Sequence, residues 1–328
     1  MTYSLPPAAV TLSIIIPCFN EGHRIDATLD AVEALRLPLA AAGMVGEVVA
    51  VDDGSADDTF ERLTERAARY GMSLIPLRHA ANLGKGAAVR TAREHVTGAV
   101  VVFQDADLEL DPAEIVYVIA PLLDGRADAV LGSRFLRTGE HRVVNFWHRQ
   151  GNKILTYVSN MFTGLDLTDM ETGFKAFTIR TFRALRLTSD RFGMEPEIVA
   201  RLAQMRARVY EVPVTYEGRS YLDGKKITWR DGIAAFAHIW RAHRSGRSQP
   251  LLQPGGRRTP VGVPAYRAVD DAVPTSGAPR LAGVAKIGAS FAEVALADIV
   301  AGAHTEPSAK RAIRRSDRAR ASESGDTM

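Results

Sequence analysis

A short acidic stretch after the apolar run AVVVF carries the residues best suited to chemistry. Within FQDADLELDP, Asp105 and Asp107 are separated by a single residue. Alternate residues of a β-strand project to the same side, so we expect the two carboxylates to share one face if the strand continues through Asp107. Mg²⁺ and Mn²⁺ are hard cations, typically held by one or two carboxylates together with substrate phosphates and water. The pair therefore predicts a divalent-cation site serving a phosphate-bearing substrate.

Two of the acids that follow Asp107 are expected to begin a helix. Asp111 precedes Pro112, with Glu114 shortly after and the apolar pattern IVYVIAPLL behind it. This pattern is typical of a helix start, in which Asp111 caps the helix, Pro112 takes its first position and Glu114 completes a capping box. Two interpretations of Glu109 stay open, namely that it supports the metal ligands or that it lies in a solvated turn.

Two further apolar runs also end in polar groups. VVAVDDGSADDT brings Asp52 and Asp53 to the end of a run, where a nucleotide base or ribose could donate hydrogen bonds to a carboxylate. The cluster at 55–58 is explained more simply as the cap of the next helix. PCFNE, at 17–21, adds a carboxylate and an amide after the first run.

Two short segments offer cations for a phosphate. NLGKG holds Lys85 at the start of a helix, where backbone N–H groups could also contact a phosphate, and GSRF holds Arg134. Taken alone, either cation is more typical of a solvated surface charge. NLGKG lacks the first glycine and the final Ser or Thr of a Walker A loop, and no G-x-G-x-x-G follows the first run. The missing motifs argue against a P-loop NTPase and against a classical dinucleotide dehydrogenase.

The elements that would position these groups alternate along the first half of the chain. Predicted strands cover 12–16, 47–54, 72–77, 99–107 and 127–135, and predicted helices cover 23–43, 56–70, 86–96 and 112–124. Continuous apolar strands that alternate with helices indicate an α/β fold, in which a mostly parallel sheet is covered on both faces. Ligands of such sheets bind beyond the carboxyl ends of the strands, where the acids and amides above lie.

The second half divides near residue 246. Residues 145–245 predict two or three more helices and a strand at 208–216, whereas the rest is rich in Pro, Gly and polar residues. Such a segment buries too little apolar surface to order itself. We therefore expect a flexible N-terminus at 1–10, a catalytic domain at 11–245 and a largely disordered basic tail at 246–328, with one short helix at 290–301.

Composition excludes several classes of protein. Of the 328 residues, 46% are hydrophobic and 24% charged, with a formal charge of +3. From Gly246 onward twelve Lys and Arg face eight Asp and Glu, so the positive charge belongs to the tail and the body is not a nucleic-acid binder. Cys18 is the single cysteine, which excludes intramolecular disulfides. The N-terminus lacks signal-peptide features, and no apolar run approaches the ~20 residues of a membrane-spanning helix.

In order, SIIIPCFNE, VVAVDDGSADDT, NLGKG, QDADLELDP and GSRF resemble a family 2 glycosyltransferase of GT-A fold. The later strings WHRQGNKILTYVSNMFTGLDLTDMETGFKAF, RFGMEPEIVARL and VPVTYEGRSYLDGKKITWRDG are similar to the branch of dolichol- or polyprenyl-phosphate sugar synthases. The resemblance covers about residues 10–243. It implies a mixed, mostly parallel central sheet with helices on both faces.

The resemblance also implies roles for matching positions. A metal bridging the donor diphosphate would sit on Asp105 and Asp107, and Arg134 would hold a phosphate of donor or acceptor. Arg219 and Lys226 would add positive charge from a loop over the donor. The residues expected to line the nucleotide pocket are Pro17, Asn20, Glu21, Asp52, Asp53 and Lys85.

Two departures from the family pattern affect what can be expected. Many relatives carry transmembrane helices after the catalytic domain, where this chain has its tail. Met170–Gly173 (METG) differs from the mannosyl enzymes, which leaves the sugar open.

The chemistry of the acceptor decides which catalytic groups are needed. A lipid monophosphate, with a second pKa near ~6, arrives ionised and needs cations rather than a base. A hydroxyl acceptor needs a general base, for which Asp169 and Glu171 are the candidates. We favour transfer of mannose or glucose, with inversion, from GDP-mannose or UDP-glucose to a polyprenyl phosphate, with Mg²⁺ or Mn²⁺. A family 2 enzyme acting in solution on a hydroxyl and a non-catalytic nucleotide-sugar-binding scaffold are the alternatives.

Contact with the inner face of the cell membrane would then be peripheral. The segment 229–244 places Trp229, Ile233, Phe236 and Trp240 on one helical stripe, as expected of a helix in the headgroup interface, although core packing explains the pattern equally well. For 152–165 the pattern favours core packing. The tail either recruits a membrane-protein partner or has no role.

Overall fold

The computed structural model describes residues 10–136, 146–191, 193–218, 239–241 and 243–244. The described strands form one sheet in the order β3-β2-β1-β4-β6-β5-β7. They are β1 (Val10–Cys18), β2 (Met44–Asp52), β3 (Ser73–Arg78), β4 (Val100–Phe103), β5 (Ala129–Ser133), β6 (Lys175–Thr178) and β7 (Val209–Pro213). The helices are α1 (Ile25–Glu33), α2 (Arg36–Ala41), α3 (Thr59–Ala67), α4 (Lys85–Arg93), α5 (Ile115–Leu123), α6 (Phe146–Thr163), α7 (Ile179–Ala184) and α8 (Met194–Gln204).

The sheet is mixed and mostly parallel, as predicted. β1 pairs in parallel with β2 and β4, β2 pairs in parallel with β3, and β5 pairs in parallel with β7. β6 runs antiparallel between β4 and β5. This strand was not predicted, because four residues of KAFT show no pattern that separates a strand from a turn. It brings the chain that follows METG back beside β4.

Helices cover both faces of the sheet, which confirms the predicted layers. Along β1, Ile14 and Ile16 pack on the face of α1, with Leu29 among their neighbours. Ile15 lies on the opposite face, with Val89 of α4 and Ile198 of α8. Because both faces are buried, the central strands need apolar residues at every position, and this is why the sequence shows continuous runs rather than alternation.

Several predicted elements were too long at their carboxyl ends. β4 ends at Phe103 and β2 at Asp52, and the helix predicted at 23–43 is the pair α1 and α2. The ladder of β4 stops just beyond Phe103, where the Gln104 amide donates to the carbonyl of Ile15. Asp105 and Asp107 consequently lie in a turn, so the argument from strand alternation was wrong.

The predicted helix start at Asp111 is half confirmed. The Asp111 carboxylate accepts the amide of Ala113 at 3.0 Å and caps a 3₁₀ turn, Pro112–Glu114, that leads into α5. The capping-box role of Glu114 was wrong, because its carboxylate accepts the amide of Thr215 at 2.9 Å. At α3, Asp57 rather than the N-cap residue accepts the amide of Thr59, at 3.1 Å.

Helix α6 is only partly a core helix. Leu155 and Val158 pack against the core, as predicted. Ile154, Tyr157 and Met161 are instead 55%, 65% and 69% exposed, so the prediction of core packing was wrong for them. Among the described residues, no helix has the length and apolar character needed to cross a membrane.

Several predictions lie outside the described residues. These are residues 1–9 of the N-terminus predicted to be flexible at 1–10, Arg219, Lys226, most of the stripe at 229–244, the tail from 246 and its helix at 290–301. Val10, the last residue of that N-terminus, is instead buried at the start of β1. Of the stripe only Trp240 is described, and it is 52% exposed, whereas its neighbour Ile239 is buried.

Candidate active site

The loop after β4 holds the two predicted metal ligands in a tight turn. Gln104 fixes the start of this turn, because its side-chain amide donates to the carbonyl oxygens of Asp105 and Leu110 at 3.0 and 3.2 Å. Leu108 has φ +56°, a left-handed conformation that is strained for a bulky residue. Backbone strain of this kind is concentrated at functional sites. The turn leaves Asp105 and Asp107 partly exposed at the carboxyl edge of the sheet.

Glu109 joins this turn to the segment that follows β7. Its carboxylate accepts the Tyr216 hydroxyl at 3.0 Å, and its carbonyl accepts the amide of Glu217 at 2.8 Å. Its own amide donates to Asp107 Oδ1 at 3.0 Å. Burial, then the charge of Glu109, raises the pKa of Tyr216 to about 12. Glu109 is buried, so of its two alternatives the supporting role fits and the solvated turn was wrong.

Lys85, at the start of α4, bridges two carboxylates from distant parts of the chain. Its Nζ lies 2.7 Å from Asp105 Oδ1 and 3.4 Å from Glu195 Oε1. Burial works against its charge, but Asp105 and Glu195 raise the pKa of Lys85 and keep it a cation. A cation is therefore held next to the predicted metal ligand, where a diphosphate would need one.

Three backbone amides of NLGKG are hydrogen-bonded within the protein. The amides of Leu83 and Gly84 donate to the Asp53 carboxylate at 2.9 and 2.7 Å. The Gly86 amide donates to the carbonyl of Asp190 at 2.8 Å. Because these three N–H groups are used within the protein, they do not support the predicted backbone contact to a phosphate, which stays a prediction together with the contact of Lys85.

Arg134 is tied to an acid rather than presented to solvent. Its Nε and Nη2 donate to the two oxygens of Asp169 at 2.6 and 2.7 Å, and Asp169 is fully buried. Burial opposes its charge, but Asp169 raises the pKa of Arg134. Its guanidinium also lies over the rings of Phe135 and Tyr216, 5.6 and 5.2 Å from their centroids. Its contact to a phosphate stays a prediction.

Two further ionisable residues, Glu171 and Lys175, lie beside the pair of Arg134 and Asp169. The sequence made Glu171 a candidate base and gave Lys175 no role. Burial, then the charge of Glu195, raises the pKa of Glu171 to about 7. Lys175 is fully buried and donates to the carbonyl of Thr172. Burial lowers the pKa of Lys175, and Glu195 is the carboxylate that most opposes this shift.

The loops after β1 and β2 are bound to each other. The Asn20 amide donates to Ser55 Oγ at 2.8 Å, and Asn20 Oδ1 accepts the amide of Ala56 at 2.9 Å. Asn20 has φ +55°, which asparagine tolerates better than most residues. The Asp52 carboxylate accepts the Ser55 amide at 3.1 Å and pairs with Arg78 at 3.2 Å. Exposed Asn20 is thus fixed at the edge where the nucleotide pocket is predicted.

The other predicted pocket residues differ in how accessible they are. Pro17 and Glu21 are half-buried, whereas Asp52 and Asp53 are buried. The Asp53 carboxylate accepts the backbone amides of Leu83 and Gly84, and its Oδ1 lies 2.7 Å from His79 Nδ1. Asp52 and Asp53 shape the loops, and their contact to a nucleotide stays a prediction.

Sequence reasoning missed Glu195, Lys175 and Tyr216. Their strings, MEPEIVARL, GFKAF and VPVTY, were noticed as parts of a pattern, but nothing local marks these residues as partners of Lys85, Glu171 and Glu109. The contacts of Glu195 with Lys85 and of Tyr216 with Glu109 join elements far apart along the chain.

The acidic turn fits a divalent cation. Asp105 and Asp107 are partly exposed and separated by one residue, and the buried Gln104 Oε1 beside them has no hydrogen-bond partner among the described residues. No group of three or more His, Cys, Asp or Glu suited to a metal occurs in the described parts of the chain. Ligands from the described residues would therefore leave coordination positions open, which suits Mg²⁺ or Mn²⁺ shared with a substrate phosphate.

The family model for glycosyl transferase family 2 matches residues 13–189, more than half of the chain. With a GT-A-type sheet and an acidic turn beyond β4 already described, the chain belongs to this family and is a glycosyltransferase. Its relatives include enzymes named for transfer to dolichol and undecaprenyl phosphates, which confirms the predicted resemblance to the polyprenyl-phosphate branch.

Two relatives and one solved structure are similar over most of the chain. Glycosyltransferase AglJ of Haloferax volcanii is 30% identical over 252 residues, which cover 75% of this chain and 76% of the relative. The dolichol-phosphate mannosyltransferase of Pyrococcus furiosus is 29% identical over 236 residues, 70% of this chain but only 63% of that enzyme's length. A mannosyltransferase of Pyrobaculum calidifontis, solved with GDP-Man and Mn²⁺, has a TM-score of 0.51 at 22% identity and covers 87% of this chain and 80% of its own. At this identity the last likeness establishes the fold alone.

Proposed function

We propose that the protein transfers a hexose, mannose or glucose, from a nucleoside diphosphate sugar to a polyprenyl phosphate, with inversion at the anomeric carbon. The choice of a phosphate as acceptor rests on one observation, that the carboxylate of Asp169 is already bound within the protein. Both of its oxygens are bound by Arg134, and Oδ1 also accepts the side-chain amide of Asn152 at 3.1 Å. One of the two candidate bases is therefore occupied, and an ionised phosphate needs no base.

On the donor side, cleavage of the sugar–phosphate bond leaves a diphosphate with growing negative charge. Mg²⁺ or Mn²⁺ on Asp105 and Asp107 would stabilise that charge as a Lewis acid. Lys85 would add a second positive charge from the protein, held beside the diphosphate by a carboxylate and therefore effective in the transition state. Asn20, Glu21 and the loop shaped by Asp53 would line the nucleotide.

On the acceptor side, Arg134 would orient the lipid phosphate for in-line attack, and Arg219 and Lys226 would add positive charge from a loop over the donor. Arg134 is held by Asp169, so it would act from a fixed position. Neither Arg219 nor Lys226 lies in the described residues, and both remain predictions that rest on the resemblance.

A lipid acceptor requires peripheral contact with the cytoplasmic face of the membrane. The exposed face of α6 supports this contact, because Ile154, Tyr157 and Met161 project from a helix whose sequence, FWHRQGNKILTYVSNMFT, contains no acid. Lys153 is exposed on the same helix. An apolar stripe with basic neighbours is suited to the headgroup interface of an anionic membrane. The basic tail would strengthen this contact or recruit a membrane-protein partner.

A hydroxyl acceptor is the second candidate, and Glu171 favours it. A carboxyl whose pKa is raised to about 7 is well placed for general base catalysis near neutral pH. The enzyme would then act on a sugar or another hydroxyl in solution.

The test combines labelled UDP-glucose or GDP-mannose with Mg²⁺ or Mn²⁺ and vesicles that contain polyprenyl phosphate. We expect label in the organic phase, and at least about a hundredfold loss of rate in Asp107→Asn. Asp111→Asn, a neighbouring acid that caps a helix, is the matched control and should retain its rate. Label that stays in water with turnover on a hydroxyl would support the second candidate. Donor that binds but is never consumed would mean a scaffold.

A further inference from the structure

Among the described residues Lys85 has two carboxylate partners, and a bound divalent cation would compete with it for one of them. The Nζ atom of Lys85 lies closest to Asp105 Oδ1, at 2.7 Å, and Glu195 Oε1 is the second acid within reach, at 3.4 Å. A cation on Asp105 and an ammonium at contact distance repel each other. When the metal site fills, the ammonium of Lys85 must therefore move away from Asp105.

Glu195 is placed to receive it. This residue lies in the first turn of α8, an end of a helix that stabilises negative charge. Its side chain is 11% exposed, compared with 30% for Lys85, so it is the more fixed member of the pair. The buried Lys175 also interacts with Glu195, which leaves Glu195 a carboxylate between two lysines.

The backbones that carry Lys85 and Glu195 are joined to each other. The amide of Gly86 donates to the carbonyl of Asp190 at 2.8 Å, and Arg90 of α4 donates to the carbonyl of Ser189 at 2.9 Å. The segment before α8 is fixed in turn by Glu197, whose carboxylate accepts the amide of Ser189 at 2.7 Å. The start of α4 and the start of α8 thus form one rigid support.

Given the proposed function, on which this inference rests, we propose that Glu195 is a positioning residue that holds the Lys85 ammonium when a divalent cation occupies Asp105. Lys85 then stays beside the donor diphosphate and leaves the carboxylate to the metal. Without Glu195, Lys85 has Asp105 as its nearest acid and competes with the metal for it.

The test measures Mn²⁺ binding in the presence of UDP by the electron paramagnetic resonance signal of free Mn²⁺, with no turnover. We expect Glu195→Gln to weaken Mn²⁺ binding about tenfold. In a Lys85→Met background the same change should have less than a twofold effect, because the competing ammonium is gone; such a cycle isolates the interaction between the two residues. A purely structural role for Glu195 would give the same loss in both backgrounds and would overturn the proposal.

Glu94→Gln is the matched control, since it makes the same chemical change at the exposed C-terminal end of α4, whereas Lys85 lies at the start of that helix. We expect it to leave thermal stability unchanged and Mn²⁺ affinity within twofold. If Glu195→Gln does not fold, Glu195→Asp tests the same cycle, because it keeps the charge but withdraws it by one methylene. A loss of Mn²⁺ affinity of less than tenfold that occurs with Lys85 present and not in the Lys85→Met protein supports the proposal. Wild-type protein that binds no Mn²⁺ with UDP would overturn the proposed function as well, whereas normal wild-type binding with no effect of Glu195 overturns this inference alone.

Discussion

Arg134 and Asp169 form a buried ion pair with two parallel contacts, Nε to Oδ2 at 2.6 Å and Nη2 to Oδ1 at 2.7 Å. The backbone amide of Arg134 adds a third hydrogen bond to Oδ2 at 3.1 Å. Asp169 has no exposed surface, and the Arg134 side chain is 9% exposed. Removing one member of such a pair leaves a buried charge without its counter-charge, which costs more than the pair contributes.

We therefore expect Asp169→Asn to lower the free energy of unfolding by about 3–5 kcal/mol, the range for a broken buried pair. Urea denaturation measures this loss. The double variant Arg134→Gln/Asp169→Asn should lose less than the sum of the two single variants, because it leaves no unpaired charge.

The exposed pair of Asp58 and Arg62, at 2.7 Å, is the control for Asp169→Asn. The Asp58 side chain is 55% exposed, and solvent screens such a pair, so Asp58→Asn should leave stability nearly unchanged. Similar losses in Asp58→Asn and Asp169→Asn would contradict the structural account of the buried pair.

The layers of the fold could be predicted because burial on both faces leaves a strong mark on a strand. VVAVDD and AVVVF are apolar at successive positions, and such runs are typical of central strands. The short strand β6 left no such mark. Its place between β4 and β5 is decided by where α6 returns the chain, which no local pattern records.

The candidate site divides in the same way. Asp105, Asp107 and Asn20 could be proposed as site residues because they are polar residues at the ends of apolar runs. The partners of Lys85 and Glu109 could not, because Glu195 and Tyr216 reach them only once α8 and β7 have packed on the sheet. The exposed face of α6 was missed for a related reason, since helical spacing of apolar residues does not say which face meets the core.

Glu171 should make stability depend on pH. Burial, then the charge of Glu195, raises the pKa of Glu171 from 4.5 to about 7. Between these values the folded protein keeps a proton that the unfolded chain has lost, so stability falls as the pH rises from about 4.5 to 7. The Glu171→Gln variant lacks this titrating group, so its stability does not fall in this way as the pH rises. Urea denaturation should show the variant gaining up to about 3 kcal/mol on wild type between pH 5 and pH 8.

Glu197→Gln is the control for this pH dependence. Hydrogen bonds from Ser189 and Thr188 outweigh burial and lower the pKa of Glu197, so it is ionised in both states above pH 5. The difference between wild type and Glu197→Gln should stay constant from pH 5 to pH 8. A constant difference for Glu171→Gln as well would rule out a raised pKa.

Gly173 lets the METG turn approach the acidic turn closely. A Cβ at this position would lie 2.4 Å from Asp105 Oδ2. Because that oxygen ends a side chain, we expect Gly173→Ala to rotate the Asp105 carboxylate at a stability cost of about 1 kcal/mol. Mn²⁺ binding in the presence of UDP should weaken at least about tenfold, as measured by calorimetry. Unchanged Mn²⁺ affinity would show that Asp105 does not need its present orientation.

Gly86 gives the prediction in which helix propensity and packing oppose each other. It lies in the first turn of α4, where alanine would favour the helix by up to about 1 kcal/mol. A Cβ at Gly86 would, however, lie 2.1 Å from the carbonyl oxygen of Ser189. That oxygen cannot easily retreat, because Arg90 donates to it at 2.9 Å and the Ser189 amide is held by Glu197 at 2.7 Å.

We expect the clash with the Ser189 carbonyl to outweigh the gain in helix propensity. Gly86→Ala should therefore destabilise the protein by about 2 kcal/mol or more in urea denaturation. Gly151→Ala in α6 is the matched control, since a Cβ there meets nothing within 4 Å. It should stabilise the protein by about 0.5–1 kcal/mol through helix propensity alone. A stabilising effect at both glycines would mean that the start of α4 can move away from Ser189, and the rigid support of Lys85 and Glu195 would be lost with it.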